Sequence, residues 1–215
     1  DEAYRQRSLH EMRRVIDKTR SLRRFFRTDG PTGIVTNVGG FSLDRPFTPS
    51  EKAQHLEQFA RSLSELDTTD VAIWPQTMPP YPWHFGGQRF HNLFVEAEEI
   101  DTLCSQLGLG LCLDVSHSKL ACNFARNSFD EFVQRIGRHV RHLHVADAAG
   151  VDGEGLQVGD GDVDFRSLWR ILDRAAPQAS FLPEIWQGHE NDGEGFWVAL
   201  DRLQRQLEPA AAARA

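Results

Sequence analysis

Four apolar runs in this chain each end in a polar residue that can bind a metal ion or carry a proton. They read Val71-Ala-Ile-Trp-Pro-Gln76, Leu111-Cys-Leu-Asp114-Val-Ser-His117, His142-Leu-His144-Val-Ala-Asp147 and Phe181-Leu-Pro-Glu184. Helix-like stretches separate them. A β/α barrel presents its chemistry in this way, with one polar group from the C-terminal end of each of several parallel strands.

The surrounding sequence supports an alternation of helix and strand. Leu9, Met12, Ile16, Leu22 and Phe26 recur at helical spacing and predict a first helix over 2–27. A β-branched run over 33–38 ends at Gly39-Gly40. Thr48-Pro-Ser-Glu51 is a capping box with proline at the first helical position, so a helix runs to about Leu66. A strand at 71–74 is followed by a long aromatic loop over 78–87 that extends toward Phe94. Further on, helices are expected over 96–107, 128–140, 164–175 and 195–207, and strands over 109–115, 141–145 and 180–185. Residues 150–161 read as a glycine-rich loop and 209–215 as a frayed tail.

Five strands result, each joined to the next through a helix, which implies parallel pairing. The expectation is a single partial β/α barrel domain over 1–215, with five β/α units in 33–208. A closed barrel needs eight strands. Either three lie upstream of Asp1, which is not a methionine, or the sheet is open.

The bulk numbers exclude several classes. A net charge of −7 gives no general attraction to nucleic acid or anionic lipid. No apolar run approaches the ~20 residues that span a bilayer. The three cysteines, Cys104, Cys112 and Cys122, are odd in number and not paired as C-x-x-C, which points to a reducing, cytoplasmic setting.

Strand parity sorts the side chains. Asp114 faces the same way as Cys112, His144 as His142 and Glu184 as Leu182, while Leu111, Leu113, Leu143, Phe181 and Pro183 face the covering helices. Asp114, His144 and Glu184 therefore converge on one interior, and imidazole with two carboxylates suits Mn²⁺, Co²⁺, Mg²⁺ or Zn²⁺. The alternative is three separately satisfied buried polar residues. Three at equivalent strand ends favour a site, because buried carboxylates are costly without a partner.

Asp114-x-x-His117, His144-x-x-Asp147, the loop through Gly159-Asp-Gly161 and strand-terminal Glu184 occur in the order seen in the xylose-isomerase-like barrels, which this chain resembles over roughly 33–205. That superfamily includes sugar and sugar-phosphate isomerases and epimerases and endonuclease IV. The stretches 75–88 and 183–197 resemble a narrower branch that accompanies, or is fused to, sialic-acid-synthase-like enzymes of surface-polysaccharide synthesis. The resemblance places metal ligands at Gln76, Asp114, His144 and Glu184, with the absent strands as the first three of the barrel.

Gln76 departs from the epimerases, which have glutamate there as both ligand and acid/base. An amide can offer a carbonyl oxygen to a metal but takes no proton. Glu184 is then the principal base, and Asp147 or His117 could supply a second group. His117 reads either as a contact to a substrate oxygen or as an exposed loop histidine. Lys119 reads as a partner for phosphate or carboxylate, or as an ordinary surface lysine. Trp83, His84 and Arg89 could wall a sugar, with Trp186 on the same side as Glu184. Trp169 and Trp197 fall on helix faces and read as core.

Three functions compete. The first is a metal-dependent sugar or sugar-phosphate isomerase or epimerase. The second is a non-catalytic barrel that binds a sugar or a partner enzyme, which Gln76 keeps open. The third, an endonuclease IV-type phosphodiesterase, needs further histidine ligands that 151–155 does not offer, and a basic DNA surface.

Overall fold

A computed structural model describes residues 1–25, 30–81, 83–84 and 87–207, with the backbone alone at 83–84 and 87–88. Helix α1 (Glu2–Leu22) leads to β1 (Thr32–Thr36), β2 (Phe41–Ser42) and α2 (Pro49–Ser64). Strand β3 (Val71–Pro75) is followed by the short β4 (Trp83–His84), β5 (Gly87–Gln88) and β6 (Phe90–His91), then α3 (Ala97–Leu107). Next come β7 (Leu111–Asp114), α4 (Val115–Ala125), α5 (Phe129–Ile136), β8 (Val140–Val145), β9 (Asp147–Ala149) and β10 (Gly153–Leu156). The described chain ends with α6 (Phe165–Ala175), β11 (Ser180–Pro183) and α7 (Glu190–Leu207).

The long strands are parallel and lie in chain order. β1 pairs with β3, and β7, β8 and β11 form a second sheet with β8 central. A parallel bridge between Gln76 and Cys112 joins the two, so the strands make one arc, β1-β3-β7-β8-β11. Register sets Asp114 opposite His144, and the Glu184 N–H donates to the Val145 carbonyl at 3.0 Å just past β11. All three polar residues thus come to one end of the arc.

Local chemistry explains the helix starts. Asp1 caps α1, accepting from the N–H groups of Ala3 and Tyr4. The capping box at Thr48 and Glu51 is complete, with both reciprocal bonds made. Asp164 caps α6 and Ser128 caps α5. Gly108, at φ 64°, closes α3 in the left-handed region, where glycine carries no steric cost.

The main core lies between the arc and α3, α5, α6 and α7, around Leu111, Leu113, Leu143, Phe165 and Leu168. A second cluster, Ile16, Ile34, Val71 and Ile73, fixes α1 against β1 and β3. On the concave side, Trp74 lies across its neighbours and stacks on His142, with ring centroids 6.2 Å apart. Only glycine fits beneath that indole: a Cβ at Gly33 would fall 2.0 Å from Trp74 Cζ3, and one at Gly110 would fall 2.8 Å from Cδ1.

Several expectations change. The chain after Asp114 is a helix, not a loop. The 78–94 and 150–161 loops contain short strands: β4 with β5, β2 with β6, and β9 with β10. Phe181 is not covered; it meets Trp169 edge-on yet stays half exposed, because β11 is an edge strand. Trp197 is exposed on α7 rather than in the core. The first helix beyond Phe25, the side chains of Trp83 and His84, and the tail 209–215 lie outside the described residues.

Candidate metal centre and sugar site

Asp114 is the hinge of the site. It is the last residue of β7 and the N-cap of α4, so strand and helix meet without a loop. Its Oδ1 accepts from the His117 N–H at 2.9 Å, the cap bond. Its Oδ2 accepts from Gln76 Nε2 at 2.8 Å and lies 3.2 Å from His117 Nδ1 and 3.7 Å from His144 Nδ1. Thr77 holds the backbone there: its hydroxyl accepts from the Asp114 N–H at 2.9 Å and receives a further bond from Ser118.

Asp114, His144 and Glu184 each offer a ligand atom, all within 4.8 Å of one another. That bound lies a few tenths of an ångström above the ~4.4 Å that two ligands at ~2.2 Å from one centre can span, so small side-chain adjustments would bring all three onto a shared ion. His144 supplies the test of fit. Its Nδ1 is buried and makes no aligned hydrogen bond, although Glu184 Oε2 stands only 2.6 Å away. A buried ring nitrogen without an aligned bond, set between carboxylate oxygens at 2.6 and 3.7 Å, is an arrangement that a cation would satisfy. The donor set therefore fits a divalent ion.

The electrostatics agree. Burial disfavours the His144 imidazolium, but Asp114, Cys112 and Glu184 outweigh it and push the ring up to about 12. Burial likewise opposes charge on His117, yet Asp114 and Glu154 push it up to about 9. Burial raises the Asp114 carboxyl, but His117 and His144 outweigh that and hold it below the usual range.

These groups open onto a cavity of about 740 Å³, walled also by Glu154, Trp186 and His189. It brings together Gln76, Asp114, His117, His144, Glu184 and Trp186 from the sequence reading. His117 is not a loop histidine: it sits in the first turn of α4 with its side chain 13% exposed. Gln76 meets Asp114 through its amide nitrogen, so serving as an oxygen ligand requires the amide to turn and give up that bond. Asp147 is fully buried and outside the cavity lining; its oxygens accept from the N–H groups of Ala148, Gly159 and Val163, which organises the 147–163 segment. Lys119 lies over the Phe129 ring, 6.0 Å from its centroid, and neither it nor Arg89 lines the cavity. The sequence reading missed Glu154, which lies between two glycines in a segment without periodicity.

An arc of parallel β/α units with polar groups at the strand C-termini defines a barrel-class protein. The family model described as xylose isomerase-like TIM barrel matches residues 1–208, and the chain belongs to that family. An uncharacterized protein, MJ1311, of Methanocaldococcus jannaschii is 39% identical over 57 residues, a match spanning 26% of this chain and 19% of that protein. Among solved structures, a D-tagatose 3-epimerase-like protein superposes with TM-score 0.70 at 18% identity, covering 96% of this chain and 72% of that one. An L-ribulose 3-epimerase superposes with TM-score 0.69 at 14% identity, covering 97% and 69%. At these identities the likeness is one of fold.

Proposed function

We propose that this protein is a divalent-metal-dependent sugar or sugar-phosphate isomerase or epimerase. The observation that carries the reading is the convergence of Asp114, His144 and Glu184 in the lining of a cavity of about 740 Å³, on a fold shared with sugar epimerases. Asp114, His144 and Glu184 hold the ion, be it Mn²⁺, Co²⁺, Mg²⁺ or Zn²⁺; Gln76 orients Asp114 and joins as a ligand if its amide turns. When bound, such an ion stabilises the oxyanion that forms as a carbon beside a carbonyl loses its proton. Glu184, 55% exposed at the cavity, is the base that takes this proton. His117, held by Asp114 and the Thr77 carbonyl, donates to substrate oxygens, and Trp186 packs on the sugar's apolar face.

The domain is a single partial barrel over 1–215. The three cysteines are free and buried, and burial pushes Cys104 and Cys122 up to about 12, as suits inert thiols in a reducing cytoplasm. No helix among the described residues is long and apolar enough to cross a membrane. A role in surface-polysaccharide synthesis beside a sialic-acid-synthase-like enzyme rests on the 75–88 and 183–197 stretches alone.

The test is proton exchange. Purified protein with Mn²⁺ should incorporate deuterium from deuterated water into D-tagatose or L-ribulose, and Glu184→Gln should lower kcat by ~10²–10⁴-fold, the usual worth of a positioned acid–base group. Metal binding with no exchange, and unchanged sugar binding in the variant, would instead favour a non-catalytic sugar-binding barrel, the reading that Gln76 supports.

A further inference from the structure

Five side chains in the cavity form a continuous chain. Glu154 Oε1 lies 3.0 Å from His117 Nε2, and His117 Nδ1 lies 3.2 Å from Asp114 Oδ2. Asp114 Oδ2 lies 3.7 Å from His144 Nδ1, which lies 2.6 Å from Glu184 Oε2. The three middle groups are enclosed, with side chains 13%, 4% and 13% exposed. The two ends are carboxylates open to the cavity, Glu154 at 38% and Glu184 at 55%.

We propose that Glu154 is the second proton-carrying group of this site, facing the substrate from the end of the chain opposite Glu184. The inference rests on the isomerase or epimerase reading and says which kind of reaction the site performs: inversion at carbon, which needs one group on each face.

Hydrogen-bond bookkeeping supports it. The Thr77 carbonyl, 3.0 Å from His117 Nδ1, can only accept, so Nδ1 carries a hydrogen. The contact between His117 Nε2 and Glu154 Oε1 must then also hold one hydrogen, on one atom or the other. Glu154 thus always has a proton within reach, and the imidazole fixes its direction. The backbone adds rigidity: the Gly155 N–H donates to Ser116 Oγ, and the Trp186 N–H donates to the Gly155 carbonyl. β10 is clamped between the start of α4 and the segment after β11. Asp152 also lines the cavity, but its carboxylate makes no hydrogen bond among the described residues that would orient it.

The step balances without a co-reactant. Glu184 removes the proton from the carbon beside the carbonyl, and the electron pair moves onto the carbonyl oxygen. The pair returns to carbon as Glu154 delivers a proton to the other face. The carboxylates exchange protons with water before the next turnover.

The experiment follows D-tagatose and L-ribulose in deuterated water with Mn²⁺, reading deuterium in recovered substrate separately from formation of the epimer. In Glu154→Gln, the epimer formed per deuteron incorporated into substrate should fall by about 10²-fold or more, because Glu184 still removes and returns hydrogen on its own face. The amide oxygen that this substitution introduces can still accept from His117 Nε2, so a merely structural role would leave the ratio unchanged. Calorimetric Mn²⁺ affinity of the variant should match the parent, showing that the metal centre is intact. An unchanged epimer ratio in Glu154→Gln, or its loss in Asp152→Asn instead, overturns the assignment of Glu154 while leaving the isomerase reading standing. Absence of exchange and epimer alike in the unmodified protein overturns that reading and the assignment with it.

Discussion

Asp114 carries two duties that can be separated at a single atom. Oδ1 caps α4 through the His117 N–H, while Oδ2 faces His144 and the other ligand atoms. Asparagine caps helices as well as aspartate does, but it lacks the charge that a divalent ion needs. Asp114→Asn should therefore keep the α4 cap and weaken Mn²⁺ binding by at least ~100-fold, more than loss of an outer-shell partner costs. Calorimetric titration decides it: unchanged affinity would remove Asp114 from the ligand set. The same residue shows why part of the site was legible early. A charged residue ending an apolar run has few uses other than capping or catalysis, whereas Glu154, set between glycines, gives no such signal.

Between elements, one carboxylate fastens the outer helices. Asp101 on α3 meets Arg138 at 2.7 Å and His139 at 3.0 Å through Oδ1, and Arg135 at 2.9 Å through Oδ2, tying α3 to α5 and the turn that follows it. Burial raises this carboxyl, but the bonds from His139, Arg138 and Arg135 outweigh it and hold it below the usual range. A lowered folded value means the stabilisation is fully present above the free value of 3.8 and is lost as pH falls through the folded one. Asp101→Asn should cost about 1–3 kcal/mol in urea unfolding near neutral pH, and the gap between variant and parent should close as the pH is lowered below 3.8. A gap that persists in acid would show that packing, not charge, ties the helices.

For the molecule as a whole, the arc leaves β1 and β11 as its two edges among the described residues. β11 exposes Phe181 at 45% and Leu182 at 40%, on opposite faces of one short strand. Unpaired strand edges with apolar side chains template further pairing. The 215-residue chain alone should therefore self-associate in sedimentation analysis at micromolar concentration, and Phe181→Lys should reduce that association. A monomer that unfolds cooperatively would show that the arc needs no further strand to cover it.

The sequence by itself determined the alternation of the five long strands with their connecting helices, the helix caps at Thr48, Ser128 and Asp164, and the convergence of Asp114, His144 and Glu184, because strand parity and capping are local rules. It could not reveal α4, whose cap is a strand residue and whose buried face includes Ser116 and Ser118, so no apolar stripe marks it. Nor could it show that Asp147 serves three backbone amides, that Gln76 turns its nitrogen to Asp114, or that Glu154 reaches His117 across 37 residues of chain. Those are contacts between atoms far apart in sequence, and only the packing of α4 and the β9–β10 hairpin against the strand ends decides which of them form.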